Sequence, residues 1–384
     1  MICNNNLIEI RGNDYKFLRQ KELNPPKKTT GACRVVDLFC GCGGISIGLR
    51  EACYALNMDF HPVLAVDFLD AACRCYAKNF PGADVRNADI SELFSPNFGT
   101  PLTKTELQLR RSAGRVDLLV GGPPCQGHSD LNNYTRRNDP KNQLYLLMLR
   151  AAEVFHPRCV IIENVMGAAH DKHHVVQTVQ SNLECLGYKV ELGSVYMPEI
   201  GVPQTRRRLL IVATLKKWIG FDSLVSKYTL PARDLRWAIE DLVGIPHDVL
   251  VDKIAIPSKD NLRRMQFLFQ HNLFDLPNSE RPPCHRDGKY SYDSIYGRLS
   301  WDKPSQTVTT GFQCMSMGRY VHPQECRTLT GHEAARLQFF PDYYDFSPAG
   351  KRTSLSTVIG NAVPSKLPYL LGIELISSHM KIRK

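Results

Sequence analysis

The residues that could do chemistry begin with Cys125. It follows a run, Val116-Asp117-Leu118-Leu119-Val120-Gly121-Gly122-Pro123-Pro124, that reads as a short apolar strand ending in a stiff loop. Val116 to Val120 carry the aliphatic pattern of a strand buried on both faces. Gly121 and Gly122 let the backbone turn or approach a ligand, and Pro123 and Pro124 fix φ at two successive positions. A thiol placed just after such a loop, at the carboxyl end of a buried strand, sits where open α/β sheets hold their ligands, and it is a candidate nucleophile. The plainer alternative is a buried structural cysteine. Glu163 closes a second apolar run, Cys159-Val160-Ile161-Ile162. A charge there is costly, so burial favours the protonated carboxyl, which suits a proton donor; the alternative is a surface Glu just past the strand. Arg206-Arg207-Arg208 precedes a third apolar run. Three arginines in a row usually form a solvated or phosphate-facing stretch. If a strand starts near Arg206, alternation points Arg206 and Arg208 to one face and Arg207 to the other.

These groups need a scaffold, and the chain offers one. Arg34-Val35-Val36-Asp37-Leu38-Phe39 is a strand running into the turn Cys40-Gly41-Cys42-Gly43-Gly44, with a helix opening from about Ile45. This is the first βα unit of a doubly wound α/β fold. It is not a dinucleotide fingerprint, because the third glycine of G-x-G-x-x-G would fall at Ser46. A glycine turn with no pyrophosphate site suits a nucleoside ligand. A second strand, Pro62 to Val66, ends at Asp67, which could accept from both hydroxyls of a ribose or could cap the helix after it. Phe68 could pack on an adenine face. A third strand near Val85 leads to Asp89 and Ile90; Asp89 could accept from an adenine amino group with Ile90 against the ring, or could be an ordinary turn residue. Helices are expected at 143–155 and 171–187, strands at 188–196 and 209–213. Thr330 with Glu333 forms a capping box, and a last helix is expected over about 365–380.

With 384 residues the chain can bury a sizeable core and hold two domains. Its 43% hydrophobic and 22% charged content is that of a globular protein. No run approaches the ~20 apolar residues that span a bilayer, and the polar start shows no secretory signal. The 13 cysteines include no Cys-x-x-Cys pair, so neither a zinc site nor a disulfide framework is expected, and free thiols in a reducing, intracellular compartment are. A net charge of +10 favours a polyanionic partner, nucleic acid first.

Taken in order, the motifs resemble those of the bacterial-type DNA (cytosine-5)-methyltransferases. They are Asp37-Leu38-Phe39-Cys40-Gly41-Cys42-Gly43-Gly44, Gly122-Pro123-Pro124-Cys125-Gln126, Glu163-Asn164-Val165, Gln204-Thr205-Arg206-Arg207-Arg208, Arg327 through Asp342, and Gly360-Asn361-Ala362-Val363-Pro364. The similarity runs from Val35 to about Leu371. It implies a Rossmann-like, S-adenosyl-L-methionine-dependent catalytic domain. Phe39, Gly41, Gly43, Gly44, Asp67, Phe68, Asp89, Ile90, Pro124 and Asn361 match the positions that bind the cofactor, and no metal is implied. It also implies that Cys125 adds to C6 of cytosine while Glu163 donates to N3. The ring becomes an enamine whose C5 takes the methyl group. Arg206 and Arg208 would lie near the base and its O2. The base must first be extruded from the duplex. His128 departs from the family, where an aromatic residue commonly stands at that position, and puts in doubt how the loop after Cys125 packs on DNA.

The expected organisation is a polar extension over 1–30, with partial order at best, a catalytic domain over 31–213 plus 351–384, and a smaller, mostly β or irregular target recognition domain over 214–350. The expected reaction is methylation of a flipped-out cytosine in a short duplex DNA sequence by a cytoplasmic monomer, with a cognate restriction enzyme or phage-defence system as partner. Two other readings are a transfer RNA methyltransferase of the same chemistry and a non-catalytic DNA-binding relic. The long segment 215–320, with prolines, basic residues and aromatics interleaved, argues for DNA sequence reading.

Overall fold

The structure is a computed structural model that describes residues 7–124, 144–167, 175–287 and 295–380. Seven of its strands make one sheet: β1 (Ala32–Leu38), β2 (Asp59–Asp67), β3 (Val85–Asn87), β4 (Leu118–Gly121), β5 (Cys159–Asn164), β6 (Lys189–Tyr196) and β8 (Arg207–Thr214), with the two-residue β7 (Gln204–Thr205) just outside it. The order is β3-β2-β1-β4-β5-β8-β6. β1 pairs in parallel with both β2 and β4, and β8 is antiparallel to both of its neighbours. The order reverses between β1 and β4, so a crevice opens there at the carboxyl ends of the strands, the place where open α/β sheets bind ligands.

Successive residues of β1 feed opposite sides of the sheet, as a pleated strand requires. Val35 joins a core with helices α2 (Gly44–Ala55), α3 (Asp70–Asn79) and α13 (Lys366–His379). Val36 and Leu38 join another with α4 (Lys104–Ala113), α5 (Leu144–Phe155) and α6 (Val175–Cys185). Each fully buried Leu, Ile or Val in these layers stabilises the fold by about 1.5–3 kcal/mol over its exposed state. β2 begins at Asp59, three residues before the expected start at Pro62. The register with β1 slips there, Val35 facing Pro62 and Val36 facing Leu64, because proline cannot donate to the ladder.

The stretch between β8 and the last two helices is irregular, and its regular elements are mainly short helices. They are α7 (Phe221–Tyr228), α8 (Leu235–Ile239), α9 (Lys259–Gln270), α10 (Pro283–Arg286) and α11 (Gly331–Leu337), with β9 (Gly297–Arg298), β10 (Ser305–Gln306) and β11 (Arg319–Val321) as the only strands there among the described residues. Met265, Leu268, Leu276, Ile295, Tyr296, Met315 and Val321 form a small separate core. Thr330 and Glu333 make the expected capping box on α11. The helices α7 to α10 correct the expectation of a mostly β or irregular segment, in which no helix was expected where they stand; nor was one expected at α4, whose Thr103 and Glu106 form a second capping box, or at α12 (Arg352–Asn361).

The N-terminal segment departs from the partial order expected of it. Helix α1 (Asp14–Leu18) and its flanks fold onto the body, with Ile10, Phe17 and Leu18 fully buried. Asp14, also fully buried, pairs with Lys366 of α13 at 2.9 Å and with Arg233 at 2.6 Å. A buried charge this well paired is destabilising to break, because either survivor would be left uncompensated. No described helix is long and apolar enough to cross a membrane.

Candidate active site

At the carboxyl end of β1 the backbone enters the left-handed region at Phe39 (φ 57°), Gly41 (φ 53°) and Gly43 (φ 88°). Glycine takes that conformation without the cost a side chain incurs, which is why a turn this tight needs it. Gly41 N–H donates to Asp67 Oδ2 and Leu69 N–H to Asp67 Oδ1, both at 2.9 Å. Asp67 therefore ties the tip of β2 to the glycine turn. Burial raises its affinity for a proton, and the amides of Leu69 and Gly41 oppose that. The Phe68 amide also faces this carboxylate, so three of its four lone-pair directions are engaged and one is left for a ligand hydroxyl. Phe68 beside it is 63% exposed, and a Cβ placed on Gly41 would meet nothing within 4 Å, so the turn faces open space. An open cradle with a carboxylate acceptor and an exposed aromatic ring fits a nucleoside.

Asp89 is exposed at the end of β3 and accepts from the amide and hydroxyl of Ser91, which hold its carboxyl below the usual range. Ile90 is buried among Val66 and Phe94, leaving little of its surface for a ligand ring. Asn361 ends α12 and is exposed. Its neighbour Val363 lies against Gly44 so closely that a Cβ on Gly44 would collide with the Val363 carbonyl. The contact seats the loop after α12 on the first turn of α2.

The second group of residues gathers beside this crevice. Asn164 Nδ2 donates to Pro123 O at 2.9 Å, pinning the loop after β4 to the end of β5. Glu163 is only 7% exposed, and its Oε2 lies 3.2 Å from where a Cβ on Gly122 would stand. Arg208 Nε lies 2.8 Å from Glu163 Oε1. The ion pair is close, but the N–H is poorly aligned, so that oxygen has no well-directed donor among the described residues. Arg206 is 4% exposed, and burial, then the like charge of Arg208, push its guanidinium down to about 9; Glu163 opposes the shift. It stays positive at neutral pH. Its Nη1 reaches Val308 O and Gln338 Oε1 only at 3.4 and 3.5 Å, and its Nε has no partner among the described residues. Arg207 is exposed and lies over the Tyr196 ring, so the alternation along this strand separates it from its two neighbours. Pro124 is half-buried, and Cys125 and His128 lie outside the described residues. The geometry thus brings Glu163, Arg206, Arg208 and the Gly122–Pro124 loop into one cluster, and Gly41 and Asp67 into the other.

Three residues support these clusters without having been singled out in the sequence. Gln204 donates to Leu337 O and Gln338 Oε1 and accepts from Val308 N–H, while Gln338 donates to Ile359 O and Ala362 O. The pair joins β7, next to Arg206, to α11 and to the loop after α12. Asp37, buried under the glycine turn, accepts from Ser46 Oγ at 2.6 Å and is pushed up to about 7 by desolvation. A polar residue inside an apolar strand was its one visible signal. His322, Glu325 and Glu333 come together with metal-ligand geometry, yet Arg327 already sits between the two carboxylates, 2.8 Å from Glu325 and 2.7 Å from Glu333. A guanidinium fills the place a cation would take.

Comparison with known proteins identifies the family. Residues 33–377 match the profile of the C-5 cytosine-specific DNA methylases. The type II methyltransferase M1.BsuMI of Bacillus subtilis is 42% identical over 96% of this chain and 86% of its own length. The type II methylase M.HgiDII of Herpetosiphon aurantiacus is 32% identical over 87% of this chain and 92% of its own. Among solved structures, the S. pombe Dnmt2 methyltransferase superposes with a TM-score of 0.61 at 19% identity, covering 90% of this chain and 99% of that one, and so shares the fold. The chain therefore belongs to the C-5 cytosine-specific DNA methylase family, and is a DNA (cytosine-5)-methyltransferase that uses S-adenosyl-L-methionine.

Proposed function

We propose that this enzyme methylates a flipped-out cytosine within a short, specific duplex DNA sequence through a covalent bond between Cys125 and C6. The observation that carries the reading is the cluster of Glu163, Arg206 and Arg208 around Gly122, three residues before Cys125. Two positive guanidiniums lower the cost of a neighbouring thiolate. Glu163, buried and held by Arg208, is positioned to give a proton to N3 as the thiolate adds to C6 and electron density moves onto the ring. Arg206 and Arg208 offer charge to the base oxygen as that density develops. Bound in the cradle of Gly41, Asp67 and Phe68, with Asn361 nearby, S-adenosyl-L-methionine supplies an electrophilic methyl group. Loss of the C5 proton and expulsion of Cys125 then restore the aromatic ring.

Residues 214–350 serve in this reading as the target recognition domain, with 31–213 and 351–384 as the catalytic domain and residues 7–30 fastened to it. The relatives named as type II methyltransferases support a place in a restriction–modification system, with a cognate endonuclease or other defence protein as partner. Bisulfite sequencing of DNA from cells that express the protein, beside cells that express Cys125→Ser, tests it. Protected cytosines in one short motif, lost in the variant, are expected. Transfer to tRNA with none to plasmid DNA would instead favour the RNA reading.

A further inference from the structure

Gln338 ends α11 and is fully buried. The next residue, Phe339, is also fully buried and takes a left-handed backbone (φ 64°), which fixes where the helix delivers the Gln338 amide. That amide meets partners from two distant stretches of chain. Its Nε2 donates to Ile359 O at 2.8 Å and to Ala362 O at 3.1 Å. Its Oε1 accepts from Gln204 Nε2 at 3.0 Å and from Arg206 Nη1 at 3.5 Å. Two donors and two lone pairs are the full inventory of an amide, so all of it is engaged. The direction of the amide is forced, because Nε2 bonds only carbonyl oxygens and Oε1 only donors. Gln204 is fixed in the same way: its Nε2 also donates to Leu337 O, and its Oε1 accepts from Val308 N–H at 2.9 Å.

These bonds reach the reacting cluster on one side and the cofactor side on the other. Arg206 Nη1 meets two oxygens, Val308 O and Gln338 Oε1. Gln204 holds the Val308 peptide, and Gln338 supplies the other oxygen itself. Both oxygens are neutral, so they direct the guanidinium without cancelling its charge, as a carboxylate in the same place would. The turn that Gln338 binds, from Ile359 to Ala362, contains Asn361 and runs into Val363, which lies on Gly44 at the first turn of α2. This turn is packed flat on the loop after Val308: a Cβ on Gly360 would collide with Thr309 O and Thr310 N. Neither element can shift without moving the other, because a close-packed interior has no slack to absorb the change.

We propose that Gln338 is a positioning residue for methyl transfer, holding the Arg206 guanidinium and the Ile359–Ala362 turn in one fixed relation so that the cation at the base and the cofactor-side turn are set together. The proposal rests on the reading that Arg206 faces the base and Asn361 the cofactor; Gln338 acts through both. It is tested with the purified full chain, plasmid DNA and labelled S-adenosyl-L-methionine, with kcat and KM measured below the Tm of every variant. Gln338→Met keeps the length of the side chain and removes its hydrogen bonds. It should lower kcat by about 10²-fold, the effect of misplacing a reacting group by about 1 Å, and raise KM for S-adenosyl-L-methionine several-fold. Gln204→Met loosens Val308 and Arg206 but leaves the turn bonded, so it should lower kcat with the cofactor KM unchanged. In an Arg206→Met background, followed by single turnover, Gln338→Met should cost no more than about twofold further in kcat and still raise the cofactor KM. Where Arg206→Met shows no transfer at all, the KM difference between the two glutamine variants decides. A merely structural role would lower kcat in step with Tm and leave the same cofactor KM in both glutamine variants, and that result would overturn the proposal. If Gln338→Met does not fold, Gln338→Glu keeps the acceptor for Gln204 and Arg206 and withdraws the amide donors from the turn; an unchanged cofactor KM there would overturn the proposal equally. A wild type that transfers no methyl group to DNA would refute the activity itself, whereas an active wild type without the KM difference refutes only the part given to Gln338.

Discussion

Arg208 Nε stands 2.8 Å from Glu163 Oε1, across the boundary between two antiparallel strands and directly beside the loop that leads to Cys125. The pair couples the proposed proton donor to the proposed oxyanion partner, so the two should not act independently. Glu163→Gln is expected to lower kcat by about 10²–10⁴, the range for losing a positioned acid. Arg208→Ala should remove the side chain that holds Glu163 in place, and the double variant should lose less than the sum of the two singles. Additive losses, measured as methyl transfer to DNA, would show that the two residues work apart.

Cys125→Ser removes the thiolate and keeps the size of the side chain. Methyl transfer should fall below detection, since a serine hydroxyl is far harder to ionise beside the same arginines. Cofactor affinity should stay within about twofold, because the Gly41–Asp67 cradle is built from other strands. Residual transfer above a thousandth of the wild-type rate would remove the covalent step from the mechanism.

Much of this candidate site is legible in the sequence, and the reason is local. The strands ending at Leu38, Asp67, Gly121 and Asn164 each announce themselves by an apolar run broken by Gly, Pro or a carboxylate, and those breaks carry the candidate residues. What stayed hidden depends on partners far away in the chain. Gln204 and Gln338 are separated by 134 residues, and Asp14 and Lys366 by 352. Nothing in the residues around Asp14 predicts a buried lysine to receive it, so a polar-looking N-terminus reads as an extension. Helix α12 was read through because Thr353, Ser354, Ser356 and Thr357 have weak helix propensity. Packing of Leu355, Val358 and Ile359, all buried, overrides it.

Asp67 offers a test of the cradle. Its two oxygens accept from two backbone amides, Gly41 and Leu69. Asparagine has one acceptor oxygen, so Asp67→Asn must turn an NH₂ group toward one of those N–H donors. Either the glycine turn or the start of α3 then loses its anchor, at a cost of about 1–3 kcal/mol. KM for S-adenosyl-L-methionine should rise about 5- to 150-fold, with kcat at saturating cofactor changed far less. An unchanged KM would place the cofactor's sugar elsewhere.

Asp37 makes stability depend on pH in an unusual direction for a carboxylate. Desolvation under the glycine turn pushes it up to about 7, while an unfolded chain would release the same proton near 4. Below that lower value both states hold the proton and the group exerts no penalty. As pH rises from about 4 to 7 the unfolded state ionises first, so stability is lost across that window and is flat above it. The loss is on the order of 2–4 kcal/mol. In Asp37→Asn the group is neutral at every pH. Ser46 can still donate to its oxygen, but the NH₂ group takes the place of Oδ1, which has no partner among the described residues, so a constant cost is added. The slope is therefore the informative quantity. Between pH 4 and 7 the Tm of the wild type should fall relative to that of Asp37→Asn, and the two should run parallel above pH 7. Parallel curves through the whole range would mean that Asp37 is already ionised when the protein folds.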